Sequence, residues 1–329
     1  MNKTEKPVLA LRRYFPLLLI VASVGWGGWY IYAHPAELAS MRGLSPGWLI
    51  ALFCLAVAKI ACMGSFTKVI VRSMGIDLRL LEWFGLSALS TMGNYLTPFR
   101  GGAVVRAMYL KSKHDLPYPL FLSTLSALYI ISFATNAALG VLAMLTLYFW
   151  IEFVDVALLS FFLTLCLVPV AFLIFLKVMP RLPDKDWLAW RGVRRLAALV
   201  VKIIEGWRVI SARKSTLLQL VALSVLNSSV TLLMIHLSFI AFGVRLPLIE
   251  SLVLSSLFMI SSMIPLTPSG LGVAEVVLVL VSRGFGVQEM SGIFSTGLNR
   301  SVMILSSIVW GSLFSYILGR RAVPVEDKS

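Results

Sequence analysis

Polar positions cut this chain into long apolar runs. Six of them, Phe15–Ala33, Trp48–Val71, Leu120–Trp150, Val156–Val178, Thr216–Phe242 and Ser291–Leu318, come close to or exceed the roughly 20 apolar residues a membrane helix needs. Two further stretches are apolar but interrupted. Residues 81–110 carry Ser87, Ser90, Thr91 and Asn94, break at Pro98, Arg100, Gly101 and Gly102, and then resume. Residues 251–281 break at Pro265, Pro268, Gly270 and Gly272. Both read as re-entrant helical hairpins, because irregular backbone at membrane depth is tolerated only where protein or a water-filled cavity covers it. The pattern predicts an all-α polytopic membrane protein: about six full spans plus two hairpins, eight hydrophobic segments in all.

The two breaks share a motif. Leu96-Thr97-Pro98-Phe99-Arg100-Gly101-Gly102 aligns with Leu266-Thr267-Pro268-Ser269-Gly270-Leu271-Gly272, so that Gly102 falls on Gly272. Three full spans separate the copies, and an odd number of crossings inverts the second relative to the first. Broken apolar segments at matching places in two inverted halves point to a transporter with its site near the bilayer midplane.

Loop charges agree with this layout. Residues 1–14 and 319–329 form basic tails, and residues 179–214 form a connector carrying Arg181, Lys185, Arg191, Arg194, Arg195, Lys202, Arg208 and Arg213. Within it, Trp187, Leu188, Trp190, Leu196, Leu199, Val200, Ile203, Ile204 and Trp207 recur at near-helical spacing, the pattern of a basic amphipathic helix on the inner membrane surface. With two re-entrant hairpins, every basic cluster and both termini lie on the cytoplasmic side, as the positive-inside rule requires. The first span has a basic start but no small-x-small cleavage site, and reads as a retained signal anchor.

Composition narrows the function classes. Hydrophobic residues make up 59% of the 329 and charged residues 13%, with mean hydropathy +0.90. A soluble domain carries about a quarter charged residues. The formal net charge of +14 therefore reflects cytoplasmic loops and anionic lipid headgroups, not nucleic acid. The cysteines Cys54, Cys62 and Cys166 lie singly in apolar runs and predict neither disulfides nor a zinc site.

Ionisable groups within apolar segments are expensive, roughly 2.5–3.5 kcal/mol each on insertion scales, and so are functional candidates. They are Lys59, Arg100, Arg106, His236, Glu275 and Arg300, with Asn94, Asn136, Asn227 and Asn299 as polar companions. Arg100 and Arg106 flank the first break and suit a phosphate, beside the free N–H groups of the helix that restarts at Gly101–Val104; the bland alternative is snorkelling to headgroups. Glu275 either pairs with a buried cation such as Arg300 or Lys59, or contacts a cationic headgroup. Lys59 reads as cavity-lining, and His236 as a hydrogen-bonded packing residue. No nucleophile elbow, zinc-binding helix, phosphate loop or dinucleotide fingerprint occurs, so no catalytic residue, metal or cofactor is expected.

Asn94-Tyr95-Leu96-Thr97-Pro98-Phe99-Arg100-Gly101-Gly102, followed by Arg106, resembles the first signature of the lysylphosphatidylglycerol synthase transmembrane region, or flippase-like domain family. Pro265-Leu266-Thr267-Pro268-Ser269-Gly270-Leu271-Gly272-Val273-Ala274-Glu275 resembles the second. The resemblance runs from about Pro16 to Gly319. The family often has an acidic residue at Ala103, and Gly-Gly at Ser269-Gly270. The resemblance implies a multi-pass protein of a prokaryotic plasma membrane that handles a lipid with a large polar headgroup. In the best-known members the domain translocates an aminoacylated phosphatidylglycerol made by a fused synthase domain. This sequence contains no such domain, so lipid aminoacylation is not implied.

The expected function is a lipid flippase acting on a phospholipid or lipid-linked headgroup, of aminoacyl-phosphatidylglycerol, glycolipid or polyprenyl-phosphate type. Its expected substrate-binding residues are Lys59, Asn94, Pro98, Arg100, Gly102, Arg106, Pro268, Gly270, Gly272, Glu275 and Arg300. The rival readings are a membrane-embedded transferase acting on lipid-linked sugars, and a scaffold for a cytoplasmic synthase or glycosyltransferase docked through residues 179–214.

Overall fold

The computed structural model describes residues 45–97, 101–151, 155–178, 206–263 and 273–322, with the isolated positions 32, 35 and 204. The first expected span, both tails, both hairpin turns and most of the basic connector lie outside the described residues. Among the described residues the chain is helical and has no strand. Its labelled helices are α1 Pro46–Ser73, α2 Leu80–Leu96, α3 Gly102–His114, α4 Tyr118–Ile151, α5 Val156–Val178, α6 Lys214–Ala241, α7 Leu248–Ser262, α8 Val273–Gly284 and α9 Glu289–Ala322. Four helices are long and apolar enough to cross a membrane, at Pro46–Ser73, Tyr118–Trp150, Lys214–Ala241 and Ser291–Gly319. The protein is a multi-pass membrane protein. α5, the fourth expected span, is an apolar helix of 23 residues interrupted by Pro169.

α1 to α4 and α6 to α9 are two copies of one unit. Helix lengths run 28, 17, 13 and 34 residues in the first copy and 28, 15, 12 and 34 in the second. α1 ends with Gly75 at φ +89, its N–H bonded to the Arg72 carbonyl and the Ile76 N–H to that of Val71. α6 ends the same way: Gly243 at φ +76 bonds Ile240, and Val244 bonds Phe239. This is the left-handed glycine cap that satisfies the last carbonyls of a helix. Gly75-Ile76-Asp77-Leu78-Arg79-Leu80-Leu81-Glu82 matches Gly243-Val244-Arg245-Leu246-Pro247-Leu248-Ile249-Glu250 at an offset of 168 residues. Before the last helix of each unit, Asp115 (φ 53) and Gly286 (φ 77) both take the left-handed conformation.

The two units interlock head to tail. α1 and α6 pack antiparallel: Leu49 and Phe53 at the start of α1 share a cluster with Leu237 and Ala241 at the end of α6. Lys59 bonds Thr231 at mid-length, and Phe66 and Ile70 share a cluster with Leu220. α2 of the first unit packs on α9 of the second, and α7 of the second packs on α4 of the first. The α2–α9 contact is close because a side chain at Gly311 would meet Met92 Cβ at 2.6 Å, and one at Gly85 would overlap the Phe314 ring.

α2 and α3 form an antiparallel pair around residues 97–101. Gly93 faces Gly102 so closely that a Cβ on Gly93 would lie 2.9 Å from the Gly102 Cα. Ser90 meets Arg106, and at the open end Glu82 accepts from Tyr109 (3.1 Å) and from Lys113. α7 and α8 pack together likewise. At 1.5 Å per residue these four helices are about 18–26 Å long, shorter than the roughly 30 Å hydrocarbon core. Beside them, the described end of the basic connector turns Trp207 and Ile210 into the bundle against Phe66, Ile70 and Ala127.

Candidate functional site

A cavity of about 140 Å³ opens between six helices. Most of its wall is built from equivalent positions of the two units. Lys59 and Asn227, Thr91 and Met259, Asn94 and Ser262, and Tyr95 and Met263 are each 168 residues apart. Leu128 and Asn299, Tyr129 and Arg300, and Ser132 and Met303 are each 171 apart. The cavity therefore lies on the pseudo-two-fold axis relating the units. Lys59 and Asn227 are each the fourteenth of 28 residues in their helices, so it also lies at the mid-length of α1 and α6. The C-terminal ends of α2 and α7 supply Asn94, Tyr95, Ser262 and Met263.

The positions are equivalent but their chemistry is not. Lys59 of the first unit stands opposite an amide in the second, and Arg300 of the second corresponds to Tyr129. Lys59 Nζ donates to Thr231 Oγ1 at 2.8 Å, and that hydroxyl donates to the Asn227 carbonyl at 2.9 Å. The ammonium also lies 3.8 Å from the Met259 thioether, a weak acceptor, and 5.6 Å from the centre of the Phe258 ring. Among the described residues no carboxylate forms a salt bridge with Lys59. Arg300 sits 5.8 Å from the same ring and 5.7 Å from that of Tyr95, whose hydroxyl it meets at 3.4 Å. Two cations thus share one aromatic ring, an arrangement that stabilises positive charge without neutralising it.

Glu275, in the first turn of α8, is bound by Arg300 through Nε and Nη2. Arg300 is 5% exposed, and the pair ties α8 to α9 beside the cavity. Of the two partners expected for Glu275, Arg300 is the one it has. Arg106 is also buried, but it does not line the cavity. Its Nη1 donates to Thr67 at 2.8 Å and its Nε to Ser90 at 3.2 Å, both neutral hydroxyls, and among the described residues no carboxylate pairs with it.

Of the residues expected from the sequence, Lys59, Asn94 and Arg300 line the cavity, and Glu275 joins it through Arg300. Gly102 is a contact residue, since any Cβ there would collide with the Ser90 carbonyl and lie 2.7 Å from Asn94 Oδ1. Pro98, Arg100, Pro268, Gly270 and Gly272 lie outside the described residues. His236 bonds Ser251 at 3.0 Å between α6 and α7, as a packing histidine does. Among the companions, Asn227 and Asn299 line the cavity, whereas Asn136 is held by Ser132 and Ser228. Sequence reasoning missed Tyr95, Tyr129, Phe258 and Thr231. The signal that reaches the first two was present: the offset between the units turns Arg300 into Tyr129, and Tyr95 stands near the end of α2, just before the motif.

Comparison with family models matches residues 16–311 to the lysylphosphatidylglycerol synthase TM region. The chain belongs to that family. Its membership makes this a membrane domain of a lipid-linked family, in agreement with both signature segments. A comparison with curated proteins finds no match.

Proposed function

We propose that this protein moves a lipid with a polar headgroup between the leaflets of a prokaryotic plasma membrane, with the headgroup passing through the axial cavity. The observation that carries the reading is the coincidence of a cation-lined cavity with the pseudo-two-fold axis of two inverted units. In inverted-repeat transporters the substrate site lies at that interface, and rocking one unit against the other exposes it to each side in turn. The short antiparallel pairs α2–α3 and α7–α8 serve in this reading as re-entrant hairpins, with both termini cytoplasmic.

Cavity size fits the division of a lipid into two parts. An apolar cavity of about 150 Å³ accommodates one benzene ring, so a volume of this order takes part of a headgroup and leaves the acyl chains in the bilayer. The transferase reading is less well supported. It needs a general base, and among the described residues the carboxylate beside the cavity, Glu275, is engaged by Arg300.

Leaflet translocation in proteoliposomes tests the proposal. Wild type is expected to move a labelled phospholipid that protein-free vesicles hold in one leaflet, and Arg300→Met to slow it at least ten-fold. Wild-type vesicles no faster than protein-free ones for any phospholipid, glycolipid or polyprenyl-phosphate sugar offered overturn it.

A further inference from the structure

We infer that the axial cavity selects a net-anionic phosphate ester bearing free hydroxyl groups, and rejects the same ester once it carries an amino acid. This rests on the cavity being the headgroup site, and it names the headgroup. The first ground is charge balance. Lys59 and Arg300 face the cavity, and among the described residues the carboxylate beside them, Glu275, is already held by Arg300. The site therefore carries one positive charge in excess among the described residues.

The second ground is the state of Lys59. An ammonium carries three donors. Thr231 accepts one, and the other groups this ammonium contacts are a thioether and a phenyl ring. A cation at mid-length of a membrane helix with only neutral partners is costly unless something anionic meets it. A phosphate oxygen between Lys59 and Arg300 supplies that charge and the missing acceptor. The third ground is the rest of the wall. Thr91, Ser132, Asn227 and Asn299 supply hydroxyl and amide groups that pair with the hydroxyls of a glycerol or sugar. An α-ammonium or a lysyl side chain entering beside Lys59 and Arg300 would meet like charge in a site sheltered from solvent, where repulsion is poorly screened.

The test measures binding apart from transport. Full-length protein in detergent micelles is titrated by native mass spectrometry with phosphatidylglycerol, with its lysyl ester, and with soluble glycerol 3-phosphate as a competitor. Wild type is expected to bind phosphatidylglycerol at least ten-fold more tightly than the lysyl ester. Lys59→Met is expected to lose that preference, Lys59→Arg to keep it, and Lys59→Glu to reverse it. Competition by glycerol 3-phosphate assigns recognition to the phosphate ester alone, and its failure to compete assigns it to the lipid-borne form; both support the charge rule. Equal or tighter binding of the lysyl ester by wild type overturns it, as does an unchanged order in Lys59→Glu. Should Lys59→Met and Lys59→Glu not fold, the wild-type and Lys59→Arg titrations decide the matter. Selective binding without translocation overturns the transport reading and leaves this inference standing. Equal translocation of both esters does the reverse.

Discussion

Arg300 of α9 holds Glu275 of α8 through two of its nitrogens, and the arginine of that pair is 5% exposed. Removing one partner of a buried pair leaves the other charge uncompensated, at a cost of about 3–5 kcal/mol. Arg300→Met and Glu275→Gln should each lower thermal stability on that scale. The double variant should recover at least half of the loss, because neither charge is then stranded. A double-mutant cycle by thermal unfolding in detergent checks this. Additive losses would mean the pair does not act as a unit.

Gly102 stands where α3 crosses α2, and a methyl group there would overlap the Ser90 carbonyl and press on Asn94. Overpacking a tight contact costs about 1–3 kcal/mol. Gly102→Ala should therefore destabilise the protein by about that much and reduce headgroup binding by displacing Asn94 from the cavity wall. Thermal unfolding together with the phosphatidylglycerol titration measures both. A variant as stable as wild type would show that the two helices separate freely.

Gly243 isolates backbone strain from packing. Its φ is +76, and a Cβ there would meet nothing within 4 Å. Any loss in Gly243→Ala is thus the left-handed backbone term, about 1–2 kcal/mol. Gly75→Ala, at the equivalent cap with φ +89 and open space around it, should cost the same. Unequal losses in paired unfolding curves would break the equivalence of the two units.

Arg106 donates to Thr67 and Ser90, which tie α3 to α1 and α2. A hydrogen bond involving a charged group contributes about 1.5–3 kcal/mol. Arg106→Lys should fall between wild type and Arg106→Met in stability, because a lysine reaches only one of the two hydroxyls at a time. Equal stability of all three proteins would remove Arg106 from the structural frame.

The sequence by itself determined the class of the protein and most helix boundaries. Val156–Val178 was legible to the residue, and Trp48–Val71 lies just inside Pro46–Ser73, because a membrane helix must satisfy its backbone internally and must be apolar along its length. The broken segments were legible too: one helix stops at Leu96 and the next starts at Gly102, on either side of Pro98, a residue that lacks the backbone donor a helix interior needs. Pairing was not. Periodicity is silent on which helices meet when a helix is apolar all round, and only the fold decided that α2 packs on α9 and α7 on α4. The same silence hid the role of Arg106. Its sequence position beside the motif suggested a phosphate ligand, whereas tertiary packing turned it toward Thr67 and Ser90. Lys59 and Arg300 are far apart in the chain, and interlocking two copies of one unit brought them to a single ring, Phe258, and, with Tyr95, to a single cavity. Local propensity fixes where a helix starts and stops. The meeting of residues across 241 positions, from Lys59 to Arg300, depends on long-range packing that no local pattern records.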